Sequence, residues 1–564
     1  MRRKILSLLA ASCAALSLAA CDAVPDSGPV REGLPNLAQA ERGVFINPQG
    51  PAKDADPESI VRGFVRAASS NLNDYEIARQ FLAPTYADQW DPSSGALIYD
   101  GAPVFDAKDE GVAGLSVHAA GVLDAGGTLK LAGPDTMTDV RFELAKVRGE
   151  WRIASAPNGI IIDRSNFSSV WETRQLYFLS PDQRLVSELR WMITDRSSLP
   201  SQMVTQIVQR LLGGPSAAMA GAIGTAFPAG TTLTSLAVPV VDGTAVIDLS
   251  TEIFDADETA MSAIKRQLAA SLQGLPGVVR FQITASGSVL GGGDVAASED
   301  ASASDFQRVV LLKDDDFGAS VGDSLSALPG VSEQVVALSP TAVSVAVDLG
   351  AAAVQHAGGV SWVADGQSVV IDNRQGLLPP SLDPLGYIWS YSSSEPGEML
   401  VTKPGASRTE LEPSWLGSLK VKTMRVSTGG NRLAVLVSSD GASEVWVAGI
   451  IRDEKGAPVG LTEATTVPLQ EPGAPIDLDW IGDNRFVLLS ETGLLGGSAK
   501  ITVGEVSGRF PIASGSVSGG LSISAGGSSR SMLRVLDDQH RMFKPQGSGW
   551  QQLMADVDLI AKLG

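Results

Sequence analysis

Ser427-Thr428-Gly429-Gly430-Asn431-Arg432-Leu433-Ala434-Val435-Leu436-Val437 places a tight glycine turn directly before an unbroken run of strand formers. A strand with one wet face alternates apolar and polar residues, whereas a run that is apolar at every position needs cover on both faces. The same turn-then-strand unit recurs along the chain. Ser339-Pro340 leads into Ala342–Val347, Asp383-Pro384-Leu385-Gly386 into Tyr387–Trp389, Ile481-Gly482-Asp483 into Phe486–Leu489, and Ser524-Ala525-Gly526-Gly527 into Met532–Leu536. Counted from Ser339 through Asp383, Ser427 and Ile481 to Ser524, the spacings are 44, 44, 54 and 43 residues. Second strands follow several turns, at Glu444–Ile451, Lys500–Val506 and Arg541–Lys544. A period near 44 with several strands per unit predicts an all-β propeller, in which neighbouring blades cover both faces of each sheet. Five turns predict five blades, with six as the alternative, over residues 305–550, followed by a C-terminal tail at 551–564. The long spacing is assigned to an insertion at Arg452–Pro475. The segment Phe306–Leu312 is expected to pair with a late strand and close the ring, because an open ring exposes strand edges.

Upstream of the propeller, Gly291–Ser304 is low in complexity and reads as a linker over 291–304. Residues 200–290 read as an α+β domain. A helix over Gln202–Leu212 ends at Gly213-Gly214-Pro215, and a hairpin turns at Asp242-Gly243 between Leu233–Val241 and Thr244–Leu249. A second helix follows, with Met261, Ile264, Leu268 and Leu272 on one face, and then a last strand at Val278–Thr284. Residues 166–199 form a bridge containing Gln175–Leu179 and Leu185–Leu189. Residues 56–165 read as a small α+β domain that starts with Asp56 as helix cap and Pro57 in the first turn. A second helix is expected at Asp74–Leu82. Short strands follow, ending in a hairpin of Val140–Val147 with Trp151–Ala154 over Arg148-Gly149-Glu150. The predicted fold is therefore multidomain: two α+β units followed by an all-β propeller.

The amino terminus has a different character. Met1-Arg2-Arg3-Lys4 precedes an apolar run to Ala20, which predicts a signal peptide over 1–20. Leu18-Ala19-Ala20-Cys21 resembles the lipobox of bacterial lipoproteins. The resemblance implies thioether lipidation of Cys21, acyl chains such as palmitate, and cleavage before that cysteine. The chain has two cysteines, and Cys13 would leave with the signal. A lone cysteine at the start of an exported protein has no disulfide partner. Residues 21–55 are the lipidated end and a flexible tether, whose r.m.s. span is roughly 30–35 Å.

Composition narrows the function classes. A net charge of −20 becomes −23 once Arg2, Arg3 and Lys4 are removed. Such acidity argues against nucleic acid and against electrostatic attachment to anionic lipids. A hydrophobic content of 44% is enough to build cores without disulfides. His118, His356 and His540 fall in different units, and no two have metal-ligand spacing. Hydrolase, phosphate-loop and dinucleotide motifs are missing, so no catalytic residue, metal or cofactor is assigned. Asp314-Asp315-Asp316 and Asp537-Asp538 are read as solvated turns in preference to ion sites. Ser438-Ser439-Asp440-Gly441 is read as a hairpin turn. Trp415 is either an exposed anchor for a partner or a filler between blades.

Three runs carry a wider resemblance: Leu211-Leu212-Gly213-Gly214-Pro215, Thr225-Ala226-Phe227-Pro228-Ala229-Gly230-Thr231 and Ala245-Val246-Ile247-Asp248-Leu249-Ser250. They resemble the GerM domain of spore-germination and related envelope proteins. Within the propeller, Leu378-Pro379-Pro380-Ser381-Leu382-Asp383-Pro384-Leu385-Gly386-Tyr387-Ile388-Trp389 adds to the likeness. The order lipobox, tether, α+β domain, GerM-like domain, propeller resembles the LpqB lipoproteins of actinobacteria. That resemblance implies a non-catalytic protein on the extracytoplasmic face of the cell membrane. It also implies an accessory role in the MtrA–MtrB two-component system, acting on the ectodomain of the sensor kinase MtrB in cell-wall and division homeostasis. The alternative is a module that binds a wall glycan or another wall component.

Overall fold

The computed structural model describes residues 48–564 apart from 71–74, 110, 134, 194–199, 296–307, 323, 418, 440–441, 468, 470–472, 493–496 and 528. Helix α1 (Pro57–Ala67) begins where Asp56 accepts a hydrogen bond from the Ser59 amide at 2.7 Å. Ile60, Val61, Phe64 and Val65 form its buried stripe. The stripe packs on a sheet of β1 (Gly95–Asp109), β2 (Val112–Asp124), β3 (Leu129–Leu131), β4 (Met137–Val147), β5 (Glu150–Ser155) and β6 (Ile160–Asp163). Its strand order is β5-β4-β2-β1-β6, with β3 beside β2 and only β1 and β6 parallel. The β4–β5 hairpin turns on Arg148 and Gly149, both at positive φ, as a two-residue primed turn requires. The helix expected at Asp74–Leu82 is reduced to one turn, Glu76–Arg79. Pro84 does not merely stop it but opens a further turn, Pro84–Ala87, because proline fits the first helical position.

Helix α2 (Arg164–Val170) leads into a hairpin of β7 (Trp171–Leu179) and β8 (Leu185–Ile193). The next domain holds α3 (Pro200–Leu212), β9 (Val240–Val241), β10 (Thr244–Leu249), α4 (Glu258–Ser271), β11 (Arg280–Ala285) and β12 (Ser288–Asp294). Strands β10 and β11 are parallel, and α4 is the crossover between them. The Asp242-Gly243 turn is present, but its first arm is the two-residue β9. The linker expected from residue 291 also needs correction. Gly291, Gly292 and Gly293 lie in β12, opposite Ile283, Gln282 and Phe281. A Cβ on Gly292 would meet the Phe281 carbonyl oxygen, and one on Gly293 would lie 3.1 Å from the Phe281 ring. The glycines here permit close strand approach and do not mark flexibility.

The propeller has six sheets among the described residues, so the alternative count of six replaces the first expectation of five. Blades 3, 5 and 6 have four strands each, beginning at Ser381, Pro475 and Gly520. Blade 4 begins at Val421, and the 452–475 insertion adds its outer strands, Pro458–Leu461 and Thr465–Val467. Residues along a blade strand alternate between neighbours. Leu433, Val435 and Val437 join the core shared with blade 3, while Ala434 and Leu436 join the core shared with blade 5. That division explains the unbroken apolar run.

Blades 1 and 2 hold the closure. Blade 1 takes Val310–Lys313, Asp316–Val321 and Ser324–Ala327 from the start of the propeller, and Leu559–Ile560 from its end. Leu311 pairs with Ile560 and Leu312 with Leu559, so the closing strand starts within the segment expected to close the ring. Phe306 and Gln307 lie outside the described residues. Blade 2 runs from Ala342 to Asp372 and receives Lys562–Leu563 in parallel beside Ala342–Val345. The tail expected at 551–564 is therefore corrected to the end of blade 6 followed by two closing strands.

Candidate functional site

The β7–β8 hairpin contributes to three parts of the molecule. Trp171 and Trp191 belong to the amino-terminal core, while Leu176, Phe178, Val186 and Met192 belong to the core of the following domain. Its polar groups reach the propeller. Arg184 donates to the Gly429 carbonyl at 3.0 Å, in the same turn that identified the repeat. Arg432 donates to the Ser187 carbonyl at 2.9 Å, and Asn484 to the Ser187 hydroxyl at 2.7 Å. Trp191 Nε1 donates to the Ser507 carbonyl at 2.9 Å, and Arg509 to the Thr173 hydroxyl at 2.8 Å. Burial pushes the Arg432 guanidinium down, against the pull of Asp483 and Glu188. Arg210 is pushed down to about 10, first by burial and then by Arg190, with Asp124 opposing. Glu188 bonds Arg190 at 2.8 Å and also holds the Ser216 hydroxyl and amide.

The blade 4 insertion makes a second junction. Thr462 donates to the Ala218 carbonyl at 2.8 Å, and Ile451 packs against the core around α3 and α4. Trp415 donates to the Thr462 carbonyl at 3.2 Å and stacks on Trp446 at 6.2 Å, so it fills a gap and braces the insertion. Pro48–Gly564 forms one compact unit. Beside this junction, a cleft of about 510 Å³ is lined by small groups, including Ser180, Gly224, Thr225, Asp257, Ala260 and Ala263.

A third concentration of polar groups lies on the propeller axis. Leu559–Gly564 supplies the inner strands of blades 1 and 2 and touches the inner strand of each of the other four. Ile560 pairs with blade 1, Lys562 and Leu563 pair with blade 2, and Gly564 packs on the Leu382 carbonyl of blade 3. Arg425 of blade 4 donates to the Leu563 carbonyl at 3.2 Å. The Lys562 ammonium meets Asp477 of blade 5 at 2.5 Å and the Leu478 carbonyl at 2.7 Å. Ser524 of blade 6 donates to the Ala561 carbonyl at 3.0 Å. Arg425 also holds Asp479 at 3.2 Å, with both side chains almost fully buried.

Other sequence candidates are dispersed. Cys21 lies outside the described residues, as do Asp440 and Gly441. Asp314 and Asp315 both take positive φ in a hairpin turn, and Asp316 pairs with Lys313 in the ladder. Asp537 accepts from the Gln539 and Arg541 amides, which makes it a turn organiser; Asp383 does the same for Leu385 and Tyr387. His356 bonds Ser361, and His540 bonds the Val557 carbonyl. Among the described residues no three His, Cys, Asp or Glu side chains cluster as metal ligands. The axial residues Arg425, Asp477, Asp479 and Lys562 were not singled out in the sequence. Their signal was there: Ile476-Asp477-Leu478-Asp479-Trp480 sets acids at alternate positions of an apolar strand, and such buried charges need partners.

Comparison with known proteins follows this anatomy. The family model for the N-terminal domain of lipoprotein LpqB matches residues 50–168, and the one described as sporulation and spore germination matches residues 175–291. The model for the LpqB beta-propeller domain matches residues 315–558. The chain belongs to the LpqB lipoprotein family. The LpqB lipoprotein of Cutibacterium acnes is 24% identical over 513 residues, 85% of each chain. That of Thermobifida fusca is 26% identical over 560 residues, 86% of this chain and 88% of the relative. Among solved structures, the first GerMN domain of the Bacillus subtilis sporulation protein GerM is 21% identical. That match covers 23% of this chain and 96% of that one, with a TM-score of 0.18. Membership in the family implies attachment to a membrane by lipid.

Proposed function

We propose that the chain is a non-catalytic accessory protein, lipidated on Cys21 after loss of residues 1–20 and held on the extracytoplasmic face. There it modulates the MtrA–MtrB system through the ectodomain of the sensor kinase MtrB. The family match across all three folded parts carries this reading. The chemistry supports it: buried charges of the kind that could form a reaction centre hold the fold instead. Asp477 is bound to Lys562, Asp479 to Arg425, Asp383 to Arg452, and Asp537 to Arg541. A lipid anchor and a tether raise the local concentration of protein and kinase, so a weak contact is enough for occupancy.

The test compares pathway output in cells with the native chain, the Cys21→Ala chain and no chain. Cys21→Ala is expected to lose fatty-acid labelling and to impair output at normal abundance and fold. Full output from the unanchored form would contradict tether-assisted contact. Equal output in all three, with wall-glycan binding detected, would favour a wall-binding module instead.

A further inference from the structure

The closing segment has two parts with different chemistry. Leu559, Ile560 and Ala561 are buried and apolar, and their amides and side chains seal blade 1. Lys562–Gly564 lies on the axis, where Leu563 packs against the core of blades 1 and 2 and the main chain and Lys562 are gripped by polar groups. Lys562 is bound to Asp477 and the Leu478 carbonyl, and the Leu563 carbonyl accepts from Arg425. The Gly564 amide donates to the Val345 carbonyl at 2.9 Å. Pairing with blade 2 is parallel and only two residues long. A buried ion pair adds little net stability, because desolvation offsets the attraction, but it discriminates strongly between correct and incorrect partners. The axis is therefore built to recognise one extended strand with a lysine, more than to be cemented by it.

We propose that the propeller axis is a peptide-binding site, occupied in cis by Lys562–Gly564, for an extended strand carrying a lysine beside small or apolar residues. Asp477 and the Leu478 carbonyl read the ammonium, Arg425 reads a main-chain carbonyl, and the edge of Ala342–Val345 adds strand pairing, as in other strand-addition sites. Asp477 is already oriented by hydrogen bonds from the Ser522 hydroxyl at 3.0 Å and the Ile523 amide at 2.9 Å, so the carboxylate stays aimed when the lysine leaves. The proposal goes beyond the kinase reading and does not depend on it.

The experiment uses the chain shortened by Lys562–Gly564, which keeps the apolar closure, and a labelled peptide of sequence Ile-Ala-Lys-Leu-Gly. Fluorescence anisotropy should show saturable binding with Kd on the order of 100 μM or tighter. Replacing the peptide lysine by glutamate should weaken binding at least tenfold, as should Asp477→Asn in the shortened chain. The full-length chain should not bind, because its site is filled. A shortened chain that keeps a cooperative thermal transition but binds no peptide would overturn the proposal and leave the segment as a plug. If the shortened chain does not fold, full-length Lys562→Ala decides. Peptide binding there, with faster hydrogen exchange at Leu563 and Gly564, supports the site; no binding overturns it.

Discussion

Removing Leu559–Gly564 should lower the thermal transition of the propeller by about 10–20 °C. Leu559 and Ile560 are 8% and 4% exposed, and they pair with Leu312 and Leu311 as the inner strand of blade 1. Burying such side chains contributes about 1.5–3 kcal/mol each. Their loss also strips cover from the core that joins Leu311, Leu536 and Met542 across blades 1 and 6. A total near 5 kcal/mol, at about 2–4 °C per kcal/mol for a unit of this size, gives that shift. Differential scanning calorimetry reads it directly. A transition within two or three degrees (roughly 1 kcal/mol) of the full-length chain would mean that the ring is closed by other contacts.

Trp191→Ala should be the most damaging single substitution at the domain junction. The indole is 4% exposed, lies 4.8 Å from the Phe167 ring, and has the Arg509 guanidinium 5.5 Å from its centre. Its Nε1 hydrogen bond to Ser507 ties β8 to blade 5, beside the bond of Asn484 to Ser187. Truncating a buried tryptophan costs about 3–5 kcal/mol. Because the lost contacts to Ser507 and Arg509 lie between units, the variant should melt in two separate transitions, with the propeller melting close to its native temperature. Trp191→Phe retains part of the packing and should lose only part of the stability. One undivided transition in Trp191→Ala would show that the remaining bonds of Arg184, Arg432 and Asn484 suffice to couple the units.

Local chemistry made most of the architecture readable. Asp56-Pro57 and Asp242-Gly243 are backbone signals that act within a few residues, and both appear where the sequence puts them. The blade period was readable because the turn between the first two strands recurs at Asp383–Tyr387, Ser427–Arg432 and Ile481–Arg485. It failed at blade 1, where the first strand is Leu559–Ile560 and the second is Val310–Lys313. No covalent turn joins those two strands, so the sixth repeat has no turn to count. The glycine run at 291–293 was misread because composition does not distinguish a flexible linker from close strand packing against Phe281. The bridge at 166–199 and the insertion at 452–475 were visible as segments. Their role in docking was not, because it depends on contacts such as Ser187 with Arg432 and Ala218 with Thr462, whose partners lie more than two hundred residues away. The axial charges were legible in type but not in pairing, since Asp477 and Lys562 come together only when the ring closes.

The central functional claim is that lipid on Cys21 brings one folded body to the kinase ectodomain. It is tested most directly by crosslinking intact membranes from cells carrying either the native chain or Cys21→Ala at matched abundance, then identifying captured proteins by mass spectrometry. The account predicts kinase ectodomain peptides crosslinked to the native chain and a reduction of at least tenfold with Cys21→Ala. Equal capture of the kinase by both forms, or capture of wall components without the kinase, would contradict it.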